Sequence, residues 1–502
     1  MTSPIRPGRP RGALLAEALC GHADVSGLGR LTATGVTLDS RTVEPGWLYA
    51  ALPGTRTHGA SFAASAADRG ACAILTDAEG AALAGEPGVP VVVAADVREA
   101  MAVASCRVFG DPASRLTMLG ITGTNGKTTT AFLAASALAD RRVGTIGTIG
   151  FQLDGREIPT SRTTVTTPES PDLQALLAVM ADSGAGAVAL EVSSHALELR
   201  RVAGIQFDLA AFVNLGRDHL DFHATMEDYF EAKARLFRPE AAKHAIINIG
   251  DRAGERLAER VRRQGLGLTT VGGPQADYQI SDFRQVTALR SVSTLRTPTG
   301  NHTLELGLPG AYNALNAMIA FAAAELAGTP PEQALAGLAV ASIPGRMQEV
   351  PLAGPAPLAV VDFAHTPQAV AAALQTFAGS PGRLIAVLGA GGDRDREKRP
   401  KMGAAAAAHA DLVVVTDDNP RSEDPAAIRA DVLGGIADRA KAVEVAGRAG
   451  AIREALRLAG PGDVVAVLGK GHEGGQIIGD RVLQFEDATV LREEWARLRK
   501  ES

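Results

Sequence analysis

The chain predicts an α/β protein of three domains, and three observations carry that prediction. Its 502 residues exceed what one hydrophobic core supports. Between residues 116 and 215, apolar runs alternate with stretches of good helix formers, the order expected of a mainly parallel sheet with helices on both faces. After Ile343-Pro344-Gly345 the alternation restarts with four apolar runs, each ending in a polar loop (358–367, 384–395, 411–421 and 464–473). The expected domains are residues 1–113, a central domain over 114–343 built on a P-loop-like strand, turn and helix, and a Rossmann-like domain over 344–502.

In chain order, residues 1–113 mix β-type runs (LTATGVTLDS, GVPVVVAA) with an Ala-rich helical stretch near 60–70. Phe109-Gly110-Asp111-Pro112 reads as a linker. The start, MTSPIRPGRPRG, has basic residues and prolines but no apolar segment behind them, and reads as a loose tail, not a signal peptide. LTMLGIT (116–122) reads as a buried strand and KTTTAFLAASALAD as the helix after it. A helix near 171–183 precedes the strand AVALEVSS (187–194), and FDLAAFVNL (207–215) is a further strand. Thr225 with Asp228 forms an N-cap signal for a helix through Lys233. Residues 277–308 alternate Thr, Val and Ser like antiparallel strands and lead into a helix from about 312 to 327. In the last third, ligands of an open parallel sheet bind at the carboxyl ends of its strands. That rule gathers Asp362, His365, Arg394, Asn419, Arg421, Lys470 and Glu473 along one edge.

A net charge of −6 points away from nucleic acid or an anionic membrane as the main partner. No apolar run approaches the roughly 18 residues of a membrane span. Cys20, Cys72 and Cys106 lie far apart without metal-type spacing and read as small buried hydrophobes of a reducing cytoplasm. Only eight of the 50 basic residues are lysine (127, 233, 243, 398, 401, 441, 470 and 500). Where arginine supplies routine surface charge, a lysine marks a place for a compact or deprotonatable amine, which singles out Lys127, Lys233 and Lys470.

The stretch GITGTNGKTTT (120–130) carries the clearest chemistry. It misses the standard P-loop pattern, which needs Gly where Ile121 stands. The logic survives: glycines let backbone N–H groups converge on a phosphate, and the helix start adds partial positive charge. Lys127 can reach the terminal phosphates and the Thr128 hydroxyl can hold Mg²⁺. Thr166-Thr167-Pro168-Glu169 taken alone is a helix-start signal, and Asn313 and Asn316, three apart, share a helix face and are equally good caps. In Asp418-Asn419-Pro420-Arg421, Pro420 stiffens a turn and Arg421 offers a planar fork suited to a carboxylate.

Gly-Thr-Asn-Gly-Lys-Thr-Thr resembles the ATP loop of the Mur ligase and folylpolyglutamate synthetase superfamily, which makes amide bonds through acyl phosphates. Matching stretches span nearly the whole chain: TLDSR (37–41), TTPES (166–170), EVSSHALELRRV (191–202), NLGRDHLDFH (214–223), YFEAKARLF (229–237), AYNALNA (311–317), PGRM (344–347), VVDFAHTP (360–367), GGDRDREKRP (391–400), TDDNPR (416–421) and GKGHE (469–473). They are most similar to the peptidoglycan-precursor branch that adds the third amino acid.

The resemblance implies three parts: a UDP-binding N-terminal domain, a central ATPase domain and a C-terminal amino-acid domain. It also implies a cytoplasmic, ATP-dependent ligase needing Mg²⁺; a monomer is the expected state, though the sequence does not give the oligomeric state. The enzyme would join meso-diaminopimelate to the D-Glu carboxylate of UDP-MurNAc-L-Ala-D-Glu. ATP would be held by Gly123, Thr124, Asn125, Gly126, Lys127, Thr128, Thr129, Asn313, Asn316, Arg346 and Asp362. Mg²⁺ would be ligated by Thr128, Glu191, His219 and Lys233, the last carrying a carbamate as N6-carboxylysine. With Lys127, the residues Glu191, His219 and Lys233 form the catalytic set. Closure of the domains over ATP would exclude water from the acyl phosphate.

The same resemblance assigns Ser40, His58, Thr166, Thr167, Ser193 and Arg201 to the UDP-sugar dipeptide. Leu199 and Val165 depart from the pattern of some members and are not carried over. Diaminopimelate would meet Arg394, Asp418, Asn419, Pro420, Arg421, Gly469 and Glu473. It differs from lysine by one carboxylate, which gives Arg421 a purpose for the first amino acid and none for the second. The rival readings are a lysine-adding ligase, a folylpolyglutamate synthetase, a P-loop motor or regulatory ATPase, and a non-catalytic UDP-sugar-binding protein. A zinc site at Asp218-His219-Asp221-His223 is a further alternative. A nicotinamide fingerprint at Gly389-Ala390-Gly391-Gly392 fails because Arg394 stands where glycine is needed.

Overall fold

The protein is described from a computed structural model covering residues 5, 7, 8, 11–158, 166–219 and 222–501. It is an α/β chain whose contacts divide it into two compact units: Met1–Ser281 with Thr294–Leu304 and Leu315–Ala339, and Asp282–Ser293 with Glu305–Ala314 and Val340–Ser502.

Besides a two-stranded pairing of Ala13–Leu14 with Thr32–Ala33, the first unit contains two larger sheets. One has four parallel strands in chain order, Gly35–Thr37, Trp47–Ala50, Ala73–Thr76 and Val91–Val93. Gly35 is required there because a Cβ would stand 2.4 Å from the Trp47 indole. The other sheet has eight strands in the spatial order Arg156–Glu157, Gly150–Leu153, Val143–Gly147, Ala187–Glu191, Thr117–Thr122, Phe207–Phe212, Ala242–Asn248 and Gly267–Val271. Its six inner and right-hand strands run parallel, and the first two pair antiparallel. Fully buried strands of this kind read as continuous apolar runs, and their side chains pack into one core with Leu173, Leu176 and Phe230 from the covering helices.

This strand order places the functional loops. Thr117–Thr122 lies between Ala187–Glu191 and Phe207–Phe212, so the glycine-rich loop after Thr122, Glu191 and the loop from 213 onward emerge at adjacent carboxyl ends. The helix Lys127–Ala137 continues directly from the loop. Three further strands, Gln279–Gln285, Ser291–Thr297 and Gly300–Leu306, form a small separate sheet, and the helix Ala311–Leu326 follows them.

The second unit is a six-stranded sheet in the order Gln348–Glu349, Leu358–Asp362, Val464–Leu468, Leu384–Leu388, Leu412–Val415 and Ala442–Glu444. All but the first strand run parallel. A hairpin, Gly475–Ile478 with Arg481–Gln484, follows the last long strand. Arg448 and Asp487 form a fully buried pair at 2.7 Å that ties two helices together, and Arg448 also donates to Leu468 O at 3.0 Å, at the end of the central strand.

One expectation needs correction. Cys20 is exposed and Cys72 half-buried, leaving only Cys106 in the core, where burial pushes its thiol up to about 12. The expected loose tail falls largely outside the described residues; Arg11 donates to Phe109 O at 2.9 Å and to Asp182 at 2.5 Å. The short strand Ala442–Glu444 and the hairpin after Glu473 were not anticipated; three or four residues of strand carry too little periodicity to register. No helix among the described residues is long and apolar enough to cross a membrane.

Candidate active site

The phosphate loop is built by local constraint. Gly126 sits at φ +86°, the left-handed region, and a Cβ there would stand 2.7 Å from the Asn316 side-chain oxygen. Thr124 is buried and its hydroxyl accepts from Gly216 N–H at 2.9 Å and lies 3.2 Å from the Tyr229 hydroxyl. Asn125 and Asn214 clasp each other: Asn125 N–H donates to the Asn214 side-chain oxygen at 3.0 Å, and the Asn214 amide donates to Asn125 O at 3.1 Å. Thr129 is half-buried on the first helical turn.

Lys127 Nζ folds back on its own loop, donating to Gly123 O at 2.9 Å and Thr124 O at 3.0 Å. Thr128 is buried and donates to Glu191 Oε2 at 2.9 Å. The Glu191 carboxylate also accepts from Thr148 N–H at 2.9 Å and the Thr148 hydroxyl at 3.1 Å. Burial pushes the Glu191 carboxyl above its ordinary range, and the Lys127 charge and these hydrogen bonds pull the other way. A cation arriving between Thr128 and Glu191 would relieve that burial cost.

Lys233 is 1% exposed. Its Nζ donates to Gly123 O at 2.9 Å and lies 4.4 Å from the centre of the Tyr229 ring. Burial first, and the nearby Lys127 charge second, hold its pKa well below the ordinary lysine range, favouring the neutral amine. His219, at φ +53°, stands 6.0 Å from the same Tyr229 ring and 5.0 Å from the His195 ring. His223 is buried and lies 2.9 Å from the Ser194 hydroxyl.

Among the described residues no three His, Cys, Asp or Glu side chains assemble into a metal cage. Asp221 of the zinc alternative, like Val165, lies outside the described residues. The Thr128 hydroxyl and the Glu191 carboxylate, oxygen donors 2.9 Å apart, suit Mg²⁺, which keeps several waters and takes few protein ligands beside substrate phosphates.

Thr166 and Thr167 continue from this corner. Thr148 and Thr166 hydroxyls are 3.1 Å apart, and Thr167 donates to Glu191 O at 2.7 Å and accepts from Ser193 N–H at 3.1 Å. Ser193 caps the short helix after it, accepting from Ala196 N–H at 3.1 Å. Arg201 donates to Glu169 at 2.9 Å and to Thr167 O at 3.0 Å. The residues at the first sheet are also internally engaged. Ser40 opens a 3₁₀ turn capped by Asp39. His58 Nδ1 accepts from Ala60 N–H at 3.0 Å, which leaves Nε2 as the protonated nitrogen facing Asp77 at 3.2 Å.

Asn313 and Asn316 are both buried on the helix Ala311–Leu326, and Asn313 donates to Pro309 O at 2.7 Å. Arg346 lies over the Phe363 ring at 4.5 Å. Asp362 accepts from Met347 N–H at 2.7 Å and Ala364 N–H at 2.9 Å; burial pushes its carboxyl up and the Arg346 charge opposes the shift.

In the second unit, Asp418, Asn419, Pro420 and Gly469 are buried and Arg421 and Glu473 half-buried. The Asn419 amide donates to Glu473 Oε2 at 2.7 Å. Arg421 donates to Gly392 O at 2.7 Å through one nitrogen. Gly469, at φ +112°, passes so close to Asp418 that a Cβ would meet its carboxylate at 2.7 Å. Arg394 is exposed on the neighbouring loop. Sequence reasoning missed Thr148, Asn214 and Tyr229, which hold Glu191 and the phosphate loop; Asn214 begins the NLGRDHLDFH stretch and was legible, whereas Thr148 had no local signal.

Three family descriptions match in order: "Mur ligase family, catalytic domain" over residues 32–108, "Mur ligase middle domain" over 121–324 and "Mur ligase, glutamate ligase domain" over 345–471. Two curated relatives share the name UDP-N-acetylmuramoyl-L-alanyl-D-glutamate–2,6-diaminopimelate ligase. That of Corynebacterium glutamicum is 44% identical, covering 95% of this chain and 94% of its own length. That of Streptomyces avermitilis is 45% identical and covers 98% of both. A solved structure bearing the same enzyme name superposes with a TM-score of 0.71 at 34% identity, covering 97% of this chain and 99% of that one. A MurF ligase of Thermotoga maritima in complex with ADP, at 18% identity and a TM-score of 0.61, shares the fold.

Proposed function

This chain belongs to the Mur ligase family, and we propose that it joins meso-diaminopimelate to the D-Glu carboxylate of UDP-MurNAc-L-Ala-D-Glu at the expense of ATP, in the cytoplasm. It is an ATP-dependent ligase of peptidoglycan precursor synthesis. The reaction proceeds in two steps. The D-Glu carboxylate takes the γ-phosphoryl group of ATP, giving an acyl phosphate and ADP. The amine of the amino acid then attacks the acyl carbon, and phosphate leaves as the amide forms.

Both steps gather negative charge, so the site needs cations and N–H donors more than a nucleophile. Lys127 swings from its loop carbonyls to the transferring phosphoryl group, and the loop N–H groups cradle the neighbouring phosphates. Thr128, Glu191, His219 and a carbamylated Lys233 would hold Mg²⁺, which would neutralise charge on the phosphate oxygens. Lys233 suits carbamylation because its neutral amine is the form that attacks CO₂, and burial favours that form. Asn313, Asn316, Arg346 and Asp362 serve the nucleotide, and Ser40, His58, Thr166, Thr167, Ser193 and Arg201 the UDP-sugar dipeptide.

The observation that carries the amino-acid assignment is Arg421, whose guanidinium spends one N–H on Gly392 O and keeps a fork for the distal carboxylate that lysine lacks. Arg394, Asp418, Asn419, Pro420, Gly469 and Glu473 complete that pocket.

The test is ADP and phosphate release from purified protein with Mg-ATP and UDP-MurNAc-L-Ala-D-Glu, with meso-diaminopimelate and L-lysine in parallel and product masses confirmed. Release needing both the nucleotide sugar and diaminopimelate is expected. Release with lysine instead overturns the pocket assignment, and release with ATP alone overturns the ligase.

A further inference from the structure

Lys470 is one of eight lysines in a chain with 50 basic residues, and it is completely buried. Its ammonium nitrogen carries three hydrogens and meets three acceptors: Gly475 O at 2.6 Å, Glu473 Oε2 at 3.1 Å and Asn419 Oδ1 at 3.2 Å. With every hydrogen spent, Lys470 has none left for a substrate. Its role is to hold Asn419 and Glu473.

What it holds is chemically specific. Asn419 Oδ1 also accepts from Ile477 N–H at 2.9 Å, so the oxygen end of the amide is fixed and Nδ2 faces Glu473 Oε2. Glu473 Oε2 thus takes two donors, while Oε1 and the second Asn419 amide hydrogen have no hydrogen-bond partner among the described residues. A carboxylate oxygen beside an amide N–H is complementary to the ammonium and carboxylate of an amino-acid zwitterion.

The hairpin Gly475–Ile478/Arg481–Gln484 closes on the same turn. Gln476 is buried and its amide donates to Asp418 O at 2.6 Å. Arg421 N–H donates to Ile477 O at 3.0 Å, and Gly479 N–H donates to Arg421 O at 2.7 Å. Arg421 sits at φ +51°, a conformation unfavourable for a residue with a side chain, and both of its backbone polar groups are tied to the hairpin.

We propose that Lys470 and Gln476 are positioning residues of the amino-acid pocket: Lys470 orients the Asn419 amide and the Glu473 carboxylate, and Gln476 locks the hairpin onto the turn that aims Arg421. Amino-acid selectivity is then set in part by side chains that do not touch the amino acid. This rests on the reading above that the pocket takes the incoming amino acid. It also explains why lysine survives at 470, since a guanidinium spreads its donors over three nitrogens and cannot bring three N–H groups from one atom to these acceptors.

The test is steady-state kinetics of full-length wild type, Lys470→Met, Lys470→Arg and Gln476→Leu, varying each substrate in turn. Wild type first establishes which amino acid is used. If it is not meso-diaminopimelate, the substrate reading fails and the positioning role is tested with the amino acid that is used. A wild type that uses none overturns both. The expected result is an amino-acid KM raised about tenfold or more in both Lys470 variants and about threefold in Gln476→Leu, from the loss of charged and neutral hydrogen bonds respectively. The KM values for ATP and nucleotide sugar should move less than about twofold, well under the loss of one such bond, and selectivity over L-lysine should narrow. An unchanged amino-acid KM, or a uniform loss across all three substrates together with a lower Tm, overturns the proposal. If the Lys470 variants do not fold, Gln476→Leu decides by the same criteria.

Discussion

Lys127 and Lys233 share one acceptor: each Nζ lies 2.9 Å from the carbonyl oxygen of Gly123. Two ammonium groups on one buried oxygen repel each other, and the more deeply buried one yields its proton more readily. Lys233 is that group, and the phosphate loop is therefore built around an amine poised to be neutral.

Lys233→Met should raise Tm at pH 7 in CO₂-free buffer while abolishing ligase activity. The folded-state pKa of Lys233 lies below the unfolded value of 10.5, so the unfolded chain binds more protons between the two and stability rises with pH across that window. The Tm advantage of the variant should therefore shrink as pH approaches 10.5. Thermal melts at several pH values measure it; a variant less stable than wild type at pH 7 would contradict the burial argument. A carbonyl signal from ¹³C-bicarbonate present in wild type and absent in the variant would report the carbamate.

Glu191→Gln should reduce kcat by on the order of 10²–10³-fold, the usual effect of removing one preorganised electrostatic group. Its carboxyl is raised above 4.5 in the folded state, so stability falls as pH rises from 4.5 through the folded value. The glutamine variant should escape that fall and be the more stable protein at pH 8 without Mg²⁺. Adding Mg-nucleotide should stabilise wild type more than the variant in a melting assay; equal stabilisation would remove Glu191 from the cation site.

Arg421→Ala should raise the KM for meso-diaminopimelate by about 10–100-fold, the loss of one charge-assisted contact. The ATP KM should stay near wild type. Arg421→Lys should recover little, because an ammonium cannot serve Gly392 O and grip a carboxylate as a fork. Competition between diaminopimelate and L-lysine gives the cleanest readout, and an unaltered preference in Arg421→Ala would assign selectivity elsewhere.

Gly126→Ala should lose ATP binding with the fold intact. The left-handed φ of +86° and the 2.7 Å approach to Asn316 leave no room for a methyl group. Calorimetry with ATP beside a circular dichroism melt separates the two effects.

Asp487→Asn should destabilise the second unit by about 3–5 kcal/mol, because it leaves the Arg448 charge buried without a counter-ion. Chemical denaturation would show an early transition. A midpoint unchanged from wild type would mean that Arg448 finds another partner.

The long elements were legible because their signals are local. Thr117–Thr122, its glycine-rich turn and Lys127–Ala137 read as a unit, and the Thr225 cap was found with its Asp228 partner, which the structure shows as Asp228 N–H donating to Thr225 Oγ1 at 3.1 Å. The rarity of lysine also picked out two buried positions: Lys233 and Lys470 rank among the largest fully buried side chains. Short elements were not legible. Ala442–Glu444 is held by pairing with Val413–Val415 earlier in the chain, which leaves no periodic trace, and the two strands of the hairpin Gly475–Ile478/Arg481–Gln484 pair with each other but are too short to register.

By itself the sequence determined the α/β class, the strand, glycine-rich turn and helix of residues 117–137 and the family to which the chain belongs, because turn glycines, apolar periodicity and reactive residue types are properties of neighbouring residues. Tertiary structure alone decided that Thr148 and Thr128 grip Glu191, that Lys127 and Lys233 meet on one carbonyl, and that Lys470 spends its three hydrogens on Asn419, Glu473 and Gly475. Those relationships depend on which strands lie side by side and on how much water is excluded between them. Neither is a local property, and burial is what turns an ordinary lysine or glutamate into a group with a shifted charge state.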